Sequence, residues 1–317
     1  MDDARSRHDR RRARYRVSEK TTAVLAIDIG GTQCGAAVVD ADGTLLAERH
    51  IATPTAVDAE GLFDVVAALG RGVLAGTERV TAIGAGCGGP MRWPEGVVSP
   101  LHIPAWRAFP LRARLEERFA LPCAVDNDAK AMALGEWWRG SGQGARSLLG
   151  LVVSTGVGGG IVIEGRLLHG AHGNAGHVGH VIASPGGPRC ECGADGCVEA
   201  IASGHAIAHR YGAGIDAAGV ATRARQGDQR AHSLFAEAGA ALARGIVAAA
   251  VLCDLDRVVA GGGVALGAWD LLSPAIESEL ARSMRIDFAR GLRVHRASLG
   301  ATAGLIGAAA LALRAQA

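Results

Sequence analysis

His180, Cys190, Cys192 and Cys197 place one imidazole and three thiols within residues 180–197. One nitrogen and three sulfur ligands are the donor set of a closed tetrahedral zinc site, which braces a fold and leaves no coordination position for substrate. Gly186, Gly187, Gly193 and Gly196 let a short backbone wrap around one ion. Buried free thiols or a disulfide are the alternatives. Cysteines two residues apart are poorly placed to bridge, and no export signal is read at the N-terminus, so a reducing, cytoplasmic setting is expected.

Three glycine-rich turns follow apolar runs. The first is Asp28-Ile29-Gly30-Gly31-Thr32, the second Ser154-Thr155-Gly156-Val157-Gly158-Gly159-Gly160, and the third Gly261-Gly262-Gly263. Such turns present backbone N–H groups to an anion. Thr32 adds a hydroxyl donor, and Asp28 can hold a Mg²⁺-bound water. The economical reading is a nucleotide with its phosphates in the first two turns, at Gly30, Gly31, Thr155, Gly156 and Gly158, and its adenosine against the third. Between the first two turns lies Asp126-Asn127-Asp128, where a strand meets a helix. These side chains either stand at a cleft edge or, for Asn127 or Asp128, cap the helix. Gly88 and Gly89 allow a ligand close to the backbone. Phosphate positioning, Mg²⁺ and a carboxylate near an acceptor are the parts of phosphoryl transfer. There is no Gly-x4-Gly-Lys-Ser/Thr, and no Gly-x-Gly-x-x-Gly opens a helix with an acidic residue about twenty positions on, so P-loop and dinucleotide-binding readings fail.

The elements that must position these groups follow from periodicity. Thr22–Asp28, Gly35–Asp40 and Leu45–Ile51 read as strands, with Asp42-Gly43 as a hairpin turn. Leu62, Val65, Val66, Leu69 and Val73 mark one helix face within 60–75. A strand over 80–86, a helix over 111–119, a strand over 121–125 and an Ala-rich helix to Trp138 follow. A strand over 147–154 enters the second glycine turn, read as 155–160, with 161–168 as its hairpin return. One helix is expected over 198–210 and a long one over 230–254. A strand over 257–260, a helix over 268–280, a strand within 291–298 and a last helix over 301–313 complete the chain. Two strand–turn–strand units about 125 residues apart hint at duplicated halves. The 317 residues are 49% hydrophobic and 20% charged, the profile of a globular chain with a sizeable core, most simply in two domains. A net charge of +2 does not mark a nucleic-acid binder, and no run of 18 uninterrupted apolar residues suggests a membrane span. Residues 1–21, rich in Arg with interleaved Asp, read as a solvated tail.

In combination these motifs resemble the ROK family of sugar kinases and sugar-responsive repressors. The residues that carry the resemblance are Asp28–Thr32, Val125–Ala129, Ser154–Gly160, Gly176-His177-Val178-Gly179-His180, Cys190–Cys197 and Gly261–Gly263, over about 22–315. It implies an α/β, two-lobed, actin-like ATPase (ribonuclease H-like) fold with the zinc-braced loop in the larger lobe. The small lobe would be 22–128, the large lobe 129–300, and 301–317 a helix returning to the small lobe. The resemblance implies Asp128 as the base that takes the proton from the sugar 6-hydroxyl. Asn127, Gly89, His177, His180 and Glu199 would bind the sugar. His180, Cys190, Cys192 and Cys197 would hold Zn²⁺, and Mg²⁺ would accompany ATP.

Two residues depart from the pattern. Gln33 stands where many members have Lys. His177 stands where glucokinase-type members have Glu, a carboxylate that accepts from two sugar hydroxyls. A neutral imidazole has one acceptor and one donor and cannot make that pair. Gly-His-Val-Gly-His and Val198–Gly204 resemble the N-acylmannosamine kinases, so a hexose or N-acylhexosamine substrate is expected, leaning to N-acetylmannosamine over glucose. Alternatively, His177 only packs against the zinc loop. A repressor is the other class of reading, disfavoured by the 21 residues before the first strand and by the Asn127-Asp128 pair. A homodimer is expected, without nucleic acid or membrane.

Overall fold

The computed structural model describes residues 22–76 and 80–315; the basic tail read at 1–21 lies outside them. Two five-stranded sheets organise the chain, and they share one strand plan. In the first, β1 (Ala23–Ile29) pairs antiparallel with β2 (Gln33–Asp40), and β2 with β3 (Leu45–Ala52). After α1 (Ala59–Leu74), β4 (Val80–Cys87) joins β1 in parallel. A two-stranded hairpin, β5 (Met91–Arg92) and β6 (Val97–Val98), and α2 (Leu111–Phe119) precede β7 (Cys123–Asn127), parallel to β4.

Helix α3 (Asp128–Arg139) leads to the second sheet. There β8 (Ser147–Val153) pairs antiparallel with β9 (Val157–Ile163), and β9 with β10 (Arg166–Leu167). The chain then runs through the cysteine loop and α4 (Val198–Ala202), α5 (Gly204–Tyr211), α6 (Ala217–Arg225) and α7 (Gln229–Cys253). Strand β11 (Arg257–Gly261) is parallel to β8, α8 (Gly263–Gly267) and α9 (Trp269–Ser283) follow, and β12 (Val294–Arg296) pairs parallel with β11. Both sheets thus run antiparallel, antiparallel, parallel, parallel across five strands. The duplicated plan hinted at by the two glycine-turn hairpins is present in the backbone.

Strand β1 is buried on both faces, as a near-continuous apolar run requires. Leu25, Ile27 and Ile29 pack with Leu62, Phe63 and Val66 of α1. Val24 and Ala26 face the other way, onto Leu305, Ile306 and Ala309 of α10 (Ala303–Ala315). Helix α10 therefore covers the first sheet and also crosses α3. That crossing is close because small residues line it: a Cβ on Gly135 or Gly307 would collide with the backbone of Ala303 or Ala131. At the end of α3, the buried Glu136 carboxylate accepts from the amides of Ser141 (2.9 Å), Leu299 (2.9 Å) and Ser298 (3.2 Å), tying α3 to the segment that enters α10. Helix α7 has the length and apolar character of a membrane span, yet it is the central helix of the larger core, with Phe235, Leu242 and Ile246 buried.

Two expected boundaries change. The helix read over 198–210 breaks at Ser203, whose hydroxyl accepts from Ala206 N (3.0 Å) as the N-cap of α5. The second glycine turn is only Ser154–Gly156; Val157–Gly160 already belongs to β9, because its glycines are needed where α3 lies on that strand.

Candidate active site

Strand β7 ends where α3 begins, so Asp126, Asn127 and Asp128 occupy the corner between the two sheets. Asn127 is the N-cap of α3: its Oδ1 accepts from Ala129 N (3.0 Å) and Lys130 N (3.4 Å). Capping uses only the oxygen. Its Nδ2 is turned to Gly89, where an added Cβ would sit 3.3 Å from it. Capping and facing the cleft, posed as alternatives, are compatible in one side chain.

Asp128 Oδ1 accepts from Ala129 N at 2.8 Å. Its other oxygen faces Gly88, 3.9 Å from where a Cβ would be. Burial pushes its carboxyl above the ordinary range, and hydrogen bonds from the amides of Ala129 and of Asp128 itself hold it back. Asp28, at the end of β1, lies close by: the Cβ position of Gly86 is 3.5 Å from Asp28 Oδ1 and 3.5 Å from Asp128 Cα. Burial and then the Asp128 charge raise Asp28 to about 7. Two carboxylates pushed up at one corner are a cation-seeking pair, a fit for the Mg²⁺ that travels with ATP.

The first glycine turn is held by Thr53, which sequence reasoning missed. Its hydroxyl donates to Gly30 O (2.7 Å), and its amide to Thr32 O (3.0 Å). Gly31 abuts His102: an added Cβ would be 2.6 Å from His102 Cβ. His102 was also missed; its one sequence signal is that Pro100 and Pro104 bracket it in an irregular loop.

The second turn is clamped from the side of the cysteine loop. Glu199 Oε2 accepts from Val157 N at 2.8 Å, and a side chain on Gly156 would strike that oxygen. The amides of Gly204 and His205, at the start of α5, donate to the carbonyls of Ser154 (2.8 Å) and Thr155 (3.2 Å). Gly158 lies inside β9 against α3, with room lacking for a Cβ beside Ala129 Cβ (2.9 Å). Gly262 has φ +92° and its backbone crosses Val153, while Gly263 comes within reach of Ser154 Oγ. The second and third turns therefore meet at the end of β8. Gly261 sits inside β11, against Ala297.

His177 Nδ1 lies 2.8 Å from Asn174 O, so it carries the proton and Nε2 is left as an acceptor. That Nε2 points to Gly89, 4.0 Å from its Cβ position. The ring lies nearly parallel to His180, with centroids 6.3 Å apart.

The ligand atoms of His180, Cys190, Cys192 and Cys197 all lie within 4.8 Å of one another. Cys192 and Cys197 sulfurs are 3.6 Å apart, and Cys190 Sγ is 3.8 Å from His180 Nδ1. A tetrahedron of Zn–S bonds has edges of about 3.8 Å, so the donor set and its spacing fit that ion. Among the described residues no cysteine is in a disulfide.

The comparisons with known proteins agree with this geometry. The ROK family model matches residues 24–315. N-acetylmannosamine kinases from Escherichia coli O139:H28 and Shigella flexneri are 39% identical to this chain, covering 91% of it and 97% and 98% of themselves. A ROK hexokinase from Thermus thermophilus superposes with a TM-score of 0.82 at 36% identity, over 93% of this chain and 99% of its own. A ROK glucokinase from Streptomyces griseus, solved with glucose and AMPPNP, gives 0.78 at 33%, over 92% and 99%. The fold is the actin-like ATPase fold of these kinases. With the family pattern running from β1 to α10 and relatives matched almost end to end, the chain belongs to the ROK family.

Proposed function

We propose that this protein is an ATP-dependent kinase that phosphorylates the 6-hydroxyl of a hexosamine, N-acetylmannosamine first among the candidates. One observation carries the reading: the free oxygen of Asp128, Asn127 Nδ2 and His177 Nε2 all turn toward the Gly88–Gly89 backbone, beside a second raised carboxylate and the first glycine turn. The Asp128 carboxylate takes the 6-hydroxyl proton while the sugar oxygen bonds to the γ-phosphorus and the bond to the ADP oxygen breaks. A carboxylate pushed upward is a better base for that proton than an ordinary one. Asp28 and the turns at Gly30–Thr32, Thr155–Gly156 and Gly262–Gly263 would hold Mg²⁺ and the nucleotide.

In this reading His180, Cys190, Cys192 and Cys197 hold a structural zinc. An ion held there would fix the loop that carries His177 and Glu199, whose carboxylate accepts from the second glycine turn. The acceptor-only face of His177 supports the N-acylhexosamine preference over glucose, and so do the names of the 39%-identical relatives. Glucose is the second reading, favoured by the likeness to the glucokinase solved with glucose. A cytoplasmic homodimer completes the proposal. The test is a coupled ADP-release assay of the purified protein with MgATP and N-acetylmannosamine, N-acetylglucosamine, mannose or glucose. Turnover of N-acetylmannosamine with the highest kcat/KM is expected. Absence of ADP release with every sugar would refute the kinase reading, and a clear preference for glucose would refute the substrate.

A further inference from the structure

Of the 33 lysines and arginines in this chain, only Lys20 and Lys130 are lysine. A sequence that writes nearly every cation as arginine keeps a lysine at one fully buried position, two residues after Asp128. The surroundings explain the choice. Lys130 Nζ is 2.7 Å from Asp126 Oδ1, 3.0 Å from Gly173 O and 3.0 Å from His169 Nδ1. Three acceptors around a point match the three donors of an ammonium; a planar guanidinium cannot address them from that centre. With Nδ1 accepting from Lys130, His169 does not donate to Asp126 Oδ2, 3.2 Å away, which is left without a hydrogen bond.

We propose that Lys130 is the positioning residue of the active site: its ammonium fixes the base-bearing turn and the His177 loop relative to each other. On one side, Asp126 Oδ1, the oxygen Lys130 holds, also accepts from Asn127 N at 2.7 Å and so anchors the turn that presents Asn127 and Asp128. On the other side, Gly173 precedes Asn174, whose carbonyl sets the tautomer of His177. The loop is backed from the first-sheet side by Trp93, in the β5–β6 hairpin. Trp93 stacks on His169 with centroids 4.1 Å apart, and it fills the space beside Gly173 (φ +79°). Lys130 touches no reacting atom. It acts through Asp126 and Gly173.

This inference rests on the kinase reading for its kinetic arm only. Lys130→Met alone would strand a buried carboxylate, so the Asp126→Asn/Lys130→Met double variant is the main test, with His169→Phe, which retains a ring against Trp93 but deletes the acceptor, as the second. For the double variant, sugar kcat/KM is expected to fall by more than about tenfold, with the KM for MgATP changed less than about twofold, since small misplacements of reacting groups cost rate steeply. Lys130→Arg is expected to behave like the double variant. The second readout needs no activity: ¹⁵N spectra of histidine-labelled protein should show His177 as the single Nδ1–H tautomer in wild type and as a mixture in both variants. If the wild type turns over no sugar, the kinase reading falls and the His177 spectra decide this proposal. Sugar kinetics within about twofold of wild type in the double variant, or unchanged His177 signals, would overturn it.

Discussion

Asp28→Asn should make the protein more stable and inactive at once. Asp28 is partly buried as a residue, but its carboxylate is enclosed: a Cβ on Gly304, at the start of α10, would collide with it, and Asp128 stands opposite. Its carboxyl titrates at about 7 in the folded protein, against 3.8 for a free side chain. Folding therefore raises its proton affinity. The group favours the folded state while both states hold the proton, and that advantage is lost as pH rises from about 4 through 7. Three decades of proton affinity correspond to about 4 kcal/mol at pH 8. At pH 5.5 the same linkage has removed only about 2 kcal/mol. An asparagine has no proton to lose, so the stability difference between variant and wild type should widen by about 2 kcal/mol between pH 5.5 and 8.

The assay is urea unfolding of both proteins at several pH values in magnesium-free buffer, without chelator so that the thiol site is undisturbed. The gap should grow up to about pH 7 and then level off. Saturating MgATP should stabilise the wild type more than the variant, because ligand binding adds to the stability of the state it selects. A stability gap that does not change with pH would refute the claim that burial and Asp128 hold this carboxyl up. Undiminished kinase activity in the variant would refute the assignment of Asp28 to the metal–nucleotide site.

Asp128→Asn should lower kcat by about a thousandfold, the scale of a lost general base, without altering metal content; an unaffected rate would remove Asp128 from that role. Because the Asp128 carboxyl is raised, kcat/KM should fall on the acid side at a higher pH than an ordinary carboxylate would give, as a pH–rate profile will show. Cys192→Ala should lose zinc, read by elemental analysis, together with sugar affinity; tight sugar binding after metal loss would end the brace model. His177→Glu should restore a two-hydroxyl acceptor and raise the glucose to N-acetylmannosamine ratio of kcat/KM by about tenfold, the scale of one net hydrogen bond.

The sequence disclosed the parts that repeat a local pattern. Apolar runs ending in glycine turns located β1, β8 and β11, and the ligand spacing located the thiol cluster. It misjudged where local signals coincide with long-range contacts. Gly158 and Gly160 look like more of a phosphate turn until α3 is laid on β9, when they become the positions at which Ala129 and Lys130 need room. Ser203 looked like helix interior because its neighbours are helical on both sides, whereas the break there aims the amides of Gly204 and His205 at the second turn. Thr53, Trp93 and His169 carry no local signature, and His102 only the prolines that bracket it, since each matters through a partner distant in sequence.

The shared strand plan explains why the chemistry gathers where it does. In each sheet the central parallel strands deliver backbone to the same edge: β1, β4 and β7 bring Asp28, Gly86 and Asp126 side by side, and β8 and β11 bring Val152 beside Gly261. Helix α3 joins the two edges, beginning directly after the last residue of β7 and lying on β8 and β9. Its first turn consequently places Asp128 at the corner where the two edges meet, close to Asp28. A change that moves α3 along β9 must therefore displace Asp128, the proposed base, and the second glycine turn together. Substituting Gly160 by alanine would force such a movement, because its Cβ would lie 2.6 Å from Lys130 Cα. The expected result is a joint loss of sugar turnover and nucleotide affinity, the latter read by titration of the non-hydrolysable nucleotide AMPPNP. If Gly160→Ala lowered turnover but left nucleotide affinity intact, α3 would not be the element that couples the two sheets.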